Sequence, residues 1–414
     1  MRKFVFIALA ALAVLACKKE KLVQPEASIT GEVSNITQYS ATVTCYSNTT
    51  GLMRRIQRGV AYSTDPEMAE ANSDRVFLAE GEGAGKYSIE LTGLEPSTTY
   101  YYRSCLAHES ISGSSGAIYD YGEIKSFETL PYDGFILEES HTAGVTSALL
   151  RAKLDLGKVM ASDVYKAWFE YSRYRRDVAS GHCANFGAEV DENGTISGLL
   201  SELDQYWEEC FYRAAILTKG NTYHYGMVQS FRPRSFTATE GTVIDMGLSV
   251  KWAPTNVGSS TPEDYGDFFA WGETSSKEDF SEAMYNYSEN PEVLPLSADA
   301  ARYKMGGAWR MPTMAEFKEL IDNSLVEWGS YKGFRPGCLC ISIKNDNAVF
   351  FPASGFKQGM DHMQCDDSGL DWTSTGNPNG SEPYSFVFLT SPHTIKFPND
   401  RVRYIGGNVR AVCE

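Results

Sequence analysis

The sequence lacks the frames that most hydrolases and metalloenzymes carry. Its six histidines include none in a His-Glu-x-x-His frame, which would set two imidazoles on one helix face for zinc. It has no Gly-x-Ser-x-Gly elbow and no phosphate-cradling glycine loop. No Cys-x-x-Cys pair occurs, and Cys338-x-Cys340 is not a zinc spacing. These absences argue against catalysis, so no catalytic residue and no cofactor is expected. Positive charge is also scarce: 37 Lys and Arg against 53 Asp and Glu leave a formal net charge of −16. A nucleic acid or other polyanion would meet no attractive field, and no such partner is expected. Past residue 16 there is no apolar run long enough to span a bilayer.

The N-terminus supplies the clearest positive signal. Arg2 and Lys3 precede an apolar run from Phe4 to Ala16, which is short for a membrane helix and ends in small residues, as a signal peptide does. Val14-Leu15-Ala16-Cys17 resembles the bacterial lipobox, which implies that Cys17 is lipidated on its sulfur and becomes the first mature residue. Residues 1–16 are then the signal peptide and 17–26 a lipidated tether. The membrane is a partner through that lipid, since multiple acyl chains anchor far better than one. The expected location is the cell envelope, as an outer-membrane lipoprotein. The tether, with Lys18-Lys19-Glu20-Lys21, leaves open whether it faces the periplasm or the outside.

The centre of the chain repeats itself. Gly59-Val-Ala-Tyr-Ser63 is echoed by Ala167-Trp-Phe-Glu-Tyr-Ser172, Tyr101-Tyr-Arg-Ser-Cys-Leu106 by Phe211-Tyr-Arg-Ala-Ala-Ile216, and Tyr121-Gly-Glu-Ile-Lys-Ser-Phe127 by Tyr225-Gly-Met-Val-Gln-Ser-Phe231. The period is roughly a hundred residues, the size of one β-sandwich. Ala41, Val43 and Cys45 alternate with polar neighbours, as a half-buried strand does. Leu94-Glu-Pro96 before Tyr100 resembles the tyrosine corner of fibronectin type III domains, in which the phenol bonds back to the preceding turn. Residues 27–130 therefore resemble a fibronectin type III (immunoglobulin-like) sandwich, and 131–235 a divergent second copy in which Cys210 stands near the tyrosine position. Asp191-Glu-Asn-Gly194 is a turn signal. Strand parity puts Cys45 and Cys105 on opposite faces, against a bridge. Cys183 and Cys210 either pair or stand as two separate buried thiols.

From about Gly241 helix signals appear. Thr313-Met-Ala-Glu316 is a capping box leading into Phe317, Leu320 and Ile321, with Asn323 as the end. Ser297 is the expected cap of a short helix to Arg302. Ala348–Phe351, Ser385–Leu389 and Asn408–Val412 read as strands, so residues 242–414 are α+β. Asp245-Met-Gly-Leu-Ser-Val-Lys-Trp252-Ala, Asn256-Val-Gly258, Phe269-Ala-Trp-Gly-Glu-Thr274, Gly307-Ala-Trp-Arg-Met-Pro-Thr313, Phe351-Pro-Ala-Ser-Gly355, Trp372-Thr-Ser374 and Val409-Arg-Ala-Val-Cys413 occur in order. Together they resemble the C-terminal domain of Bacteroidota lipoproteins related to the Fibrobacter major paralogous domain. That family is similar in fold to C-type lectins and to the formylglycine-generating enzyme. Relatives often carry cysteine where this chain has Pro254-Thr255, so the resemblance leaves Cys413 without its usual partner. The fold class expected is multidomain: two all-β sandwiches followed by an α+β C-type-lectin-like domain.

The resemblance places a ligand surface on the polar stretch after Trp372. Trp372, Asn377, Asn379, Glu382, Tyr384, Asn399 and Asp400 are the candidate ligand-binding residues, in loops whose Asn, Ser, Gly and Tyr content suits adaptable recognition. Trp271 and Trp309, flanked by glycine and apolar residues, read as core. Glu382, Asn399 and Asp400 could supply some of the oxygen ligands calcium needs, although the residue triplets of sugar-binding C-type lectins are not matched. Asp361, His362, Asp366 and Asp367 read as a solvated loop. Cys338 and Cys340 share one face of an expected strand, which suits packing better than thiol chemistry. The function expected is a lipid-anchored binding protein, the sandwiches as spacer and the C-terminal domain as a tip for a glycan or protein. Three alternatives are a structural or assembly subunit of a surface appendage, a hypervariable binder diversified at codons such as Asn377, Asn379 and Tyr384, and an enzyme on the formylglycine-generating-enzyme-like fold.

Overall fold

A computed structural model describes residues 28–48, 54–68, 76–109, 117–204, 206–331, 333, 335–377 and 382–414. The signal sequence, Cys17 and the tether lie outside the described residues. The chain divides into two compact units, 1–131 and 132–414.

In the first unit, alternating sequence makes strands whose inward residues build one core. β1 (Ser28–Ile29), β2 (Val33–Ser34), β3 (Ser40–Ser47) and β6 (Gly85–Thr92) form one sheet, with β1 and β2 following each other along one edge of β3 and β6 on its other edge. β4 (Arg54–Ser63), β5 (Val76–Glu82), β7 (Thr99–Glu109), β8 (Ala117–Tyr121) and β9 (Lys125–Glu128) form the second, in the order β5-β4-β7 with β8 and β9 sharing the far edge of β7. This is a fibronectin type III-like sandwich. Ala41, Val43 and Cys45 meet Tyr62, Leu91, Tyr100, Tyr102 and Phe127 between the sheets. The expected corner is present: the Glu95 amide donates to the Tyr100 hydroxyl at 2.9 Å, which bridges the turn before β7 to the core.

The second unit opens with the same order. β10 (Ile136–Ala143), β11 (Ala148–Leu154) and β14 (Thr195–Leu200) make one sheet. β12 (Val164–Ser172), β13 (Ala184–Val190), β15 (Cys210–Thr218), β16 (Tyr223–Tyr225) and β17 (Gln229–Phe231) make the other, with β13 also touching β14. Helix α1 (Arg175–Ser180) sits between β12 and β13. Register makes the repeat explicit. Tyr100 faces Phe127 in the first copy, and Cys210 faces Phe231 in the second. Cysteine thus occupies the corner tyrosine's place, without a phenol to reach the turn. Cys183 and Cys210 are separate thiols in different apolar clusters. Cys45 and Cys105 are thiols too, both buried.

The remainder of the second unit is built from short pieces. β18 (Lys251–Asn256) pairs with β27 (Arg410–Cys413), which brings the two ends of the region together. Between them lie α2 (Ala300–Met305), α3 (Met314–Asp322), the sheet β19 (Ser324–Tyr331), β20 (Arg335–Ser342), β21 (Ala348–Pro352), the hairpin β22 (Phe356–Gln358) and β23 (Asp361–Met363), and the sheet β24 (Ser368–Trp372), β25 (Tyr384–Leu389), β26 (Thr394–Asp400). The Thr313–Glu316 capping box forms as expected, with Asn323 closing α3. The other cap differs. Asp299, not Ser297, caps α2: one carboxylate oxygen accepts the Arg302 amide at 2.9 Å and the other the Met311 amide at 2.8 Å. The two oxygens of this carboxylate hold two segments at once, the first turn of α2 and the chain at Met311. Cys338 and Cys340 are fully buried on the core face of β20, and Cys413 is a thiol.

The second sandwich and this α+β region are joined by side-chain hydrogen bonds at a partly buried junction. The Glu327 carboxylate, 3% exposed, accepts the Ser147 amide at 2.9 Å, the Ser147 hydroxyl at 2.6 Å and the Thr146 hydroxyl at 3.1 Å. Gly144 is required beside it, since a Cβ there would stand 2.0 Å from the Glu327 oxygen. Arg151 and Arg234 donate to the Ile343 and Asp346 carbonyls, both at 3.0 Å. The connecting segment is itself packed, with Phe236 edge-on to Phe350 and Ala238 in the same apolar cluster.

Two substitutions test this packing. Tyr100→Phe removes one hydrogen bond and should destabilise the first unit by about 0.5–1.5 kcal/mol in urea denaturation. Glu327→Ala removes the charged acceptor shared by the Ser147 amide and the Ser147 and Thr146 hydroxyls, and should destabilise the second unit by about 1–3 kcal/mol, with new protease cleavage near Arg234. A wild-type profile for Glu327→Ala would show that the junction does not depend on it.

Candidate functional site

Trp372 is not a ligand platform. It is fully buried, and its indole N–H donates to the Phe269 carbonyl at 2.8 Å. Trp271 is equally buried and donates to the Thr373 carbonyl at 2.9 Å. Segments 269–271 and 371–373 thereby lock each other, and both rings belong to one core with Leu294, Met311 and Leu370. The polar run expected to open at Thr373 starts inside the protein: Thr373 and Ser374 are buried, with Ser374 bonded through its amide to the Pro312 carbonyl and through its own carbonyl to the Leu294 amide.

The other candidates gather at one corner. β25 pairs Tyr384 with Asp400 and Ser385 with Asn399. The Tyr384 hydroxyl donates to Asn377 Oδ1 at 3.3 Å, and Glu382 is half-buried two residues before Tyr384. Asn379 and the Asp400 side chain lie outside the described residues. Among the described residues no group of three His, Cys, Asp or Glu side chains is close enough to hold a metal ion.

Next to this corner is a feature that sequence reasoning missed. Residues 272–298 wrap into a polar depression of about 500 Å³, lined among others by Glu273, Thr274, Ser276, Asn286, Tyr287 and Ser297. Its volume falls in the range of small-ligand sites, roughly 300–1,000 Å³. The backbone of 292–294 connects the depression to the corner: Gly376 donates to the Glu292 carbonyl, and Val293 bridges Thr375. The loop contains only short helical turns, so side chains hold it. Glu273 accepts the Asn286 amide at 2.8 Å and Lys277 at 2.6 Å. The Tyr285 hydroxyl donates to the Trp271 carbonyl at 2.8 Å. Arg403 donates to the Glu289 carbonyl at 2.9 Å and to Asn290 Oδ1 at 2.6 Å. Tyr287 lies against Gly272, where φ is +82° and any Cβ would meet the ring at 2.2 Å. The sequence sign of this site was the hydroxyl run Thr274-Ser-Ser276, one residue past the buried Trp271-Gly272 pair.

Behind these loops sits a charged core. Arg410 is fully buried and donates to Asn256 Oδ1 at 2.9 Å, the Pro254 carbonyl at 3.0 Å and the Phe350 carbonyl at 2.7 Å. Burial pulls its pKa down to about 10, against the opposing influence of Asp371. Asp371 is buried with neither carboxylate oxygen hydrogen-bonded. Burial pushes its pKa up to about 7, although Arg410 acts the other way. In the sandwich, burial likewise pushes Glu139 up to about 8, opposed by the Ala214 backbone and Arg213. Both acids are raised above unfolded values of about 4. The folded state therefore holds protons that the unfolded state has released. Their stabilisation is complete below about pH 4 and is lost as pH rises through about 7 to 8. Urea denaturation should show the second unit weakening from about pH 5 to about pH 8, and Asp371→Asn should flatten part of that slope. A variant with an unchanged slope would contradict the burial argument.

No family model matches the chain, and no curated protein matches it. Solved structures that it overlaps include the sensor domain of the anti-sigma factor RsgI4 of Pseudobacteroides cellulosolvens, at 16% identity and a TM-score of 0.20, covering 26% of this chain and 98% of that one. A sixth fibronectin type III domain from human fibronectin type III domain containing protein 3 overlaps at 20% identity and a TM-score of 0.19, covering 26% of this chain and 87% of that one. A two-domain fibronectin type III segment from chicken tenascin overlaps at 13% identity and a TM-score of 0.18, covering 50% of this chain and 98% of that one. With scores this low, the sandwich assignment stands on strand order and register alone.

Proposed function

We propose that the chain is a lipid-anchored extracytoplasmic binding protein. Cys17 carries the lipid, the two sandwiches are spacers, and residues 242–414 form a C-type-lectin-like tip that recognises a glycan or a protein. The observation that carries this reading is the depression at residues 272–298 with the adjoining Asn377–Tyr384 corner. Together they place hydroxyl, carboxamide and phenol groups on one loop-built surface. Pairing of the first and last strands of the region, with irregular loops between, supports the lectin-like resemblance. The anchor is supported by the sequence Leu15-Ala16-Cys17 after a positive and then apolar leader.

Two measurements test the proposal. Metabolic labelling with palmitate should mark the wild type and not Cys17→Ser; equal labelling would remove the anchor. The soluble chain from Ala27 onward, probed against arrays of glycans and of host or matrix proteins, should retain a ligand. Retention of nothing would favour a structural subunit instead.

A further inference from the structure

We propose that the depression formed by residues 272–298 takes an uncharged saccharide unit, and takes it without calcium; this rests on the reading of residues 242–414 as a recognition tip. Lys277 is the one cation among the residues lining the depression, and it is already committed. Its ammonium bonds Glu273 at 2.6 Å and the Met284 carbonyl at 2.8 Å, and it sits 5.7 Å from the Phe280 ring centre and 5.8 Å from that of Tyr285. A carboxylated or sulfated ligand would find no unpaired cation there, and would have to shed its hydration without compensation.

The polar groups that remain suit hydroxyls. Thr274, Ser275, Ser276 and Ser297 line the depression, and each can both donate and accept. Asn286, also in the lining, donates its Nδ2 to the Met284 carbonyl at 3.1 Å and retains a carboxamide oxygen that can accept. Tyr287 adds an aromatic ring with a polar tip, the residue type that meets the mixed C–H and O–H surface of a sugar. That ring is fixed before any ligand arrives. It packs on Gly272 and stands edge-on to Trp271 at 6.0 Å, so little ordering entropy is lost on binding.

Calcium does not suit the same wall. It wants six to eight oxygens with several carboxylates. Of the two lining carboxylates, Glu273 already accepts the Asn286 amide and Lys277. Glu289 is left, facing the Tyr287 hydroxyl at 3.4 Å.

The test uses the whole soluble chain from Ala27 onward on an array of host and matrix proteins and on a glycan array holding neutral, sialylated, uronate and sulfated members, with and without EDTA. Tyr287→Ala removes the ring. Ser276→Trp fills the depression from an exposed position that bonds to nothing in the core, and circular dichroism checks that both variants fold. The expected result is retention of neutral glycans, unchanged by EDTA and weakened about tenfold or more by both variants. Neutral binding untouched by either folded variant places the site elsewhere and overturns the proposal. So does preference for acidic glycans, loss with EDTA, or retention on the protein array alone, and in each of these cases the reading of the chain as a binding protein survives. Retention of nothing from either array sinks both.

Discussion

Two indole rings hold the C-terminal region together. The Trp271 N–H is bonded to the Thr373 carbonyl and the Trp372 N–H to the Phe269 carbonyl, so each ring closes the backbone segment that carries the other. This region has long stretches without helix or strand, and its backbone amides cannot all be satisfied by ladders. Large rings with one polar atom supply both buried area and a directed bond. Arg410 does the same for the opposite wall, tying Asn256, Pro254 and Phe350 to the final strand. With those positions fixed, the 272–298 loop, the Asn377–Tyr384 corner and Arg403 have a floor on which to stand.

The same core separates what is buried for stability from what is available to a ligand. Trp252, Phe269, Trp271, Phe351 and Trp372 of the motifs turn inward while Trp309 is half-buried, and hydroxyl and carboxamide residues of the intervening loops remain at the surface. Glu273, Lys277 and Arg403 spend their charges on the loop itself. The lining of the depression is consequently mostly uncharged, with Glu273 paired to Lys277 and Glu289 facing the Tyr287 hydroxyl. The second sandwich extends this rigidity: Glu327 and the 236–239 segment make it and the α+β region one compact unit.

Much of this was legible in the sequence where a local rule decides. Alternation found β3, the tyrosine corner was visible in Leu94-Glu-Pro96 and Tyr100, and the Thr313–Glu316 box marked α3 to its ends. The internal repeat appeared in three short echoes because core tyrosines such as Tyr102 and Tyr212 hold the same register in both copies. The Asp299 cap was missed because its second partner, the Met311 amide, is a tertiary contact. Trp372 was misread for a related reason. Its neighbours in sequence are polar, and only the fold shows that Thr373 and Ser374 are themselves buried. The 272–298 depression has no periodicity at all. Its walls are set by side-chain bonds such as Asn286 to Glu273, for which spacing gives no signal.

The claim that this loop surface is where the protein meets its ligand is open to one direct measurement. Amide hydrogen exchange on the soluble chain, free and saturated with the tightest ligand retained on an array, reports which backbone segments are covered. Slowed exchange is expected in peptides spanning residues 272–298, with a smaller effect at 375–384 and none in the two sandwiches. Protection confined to residues 28–233, with 272–298 exchanging as in the free protein, would contradict it.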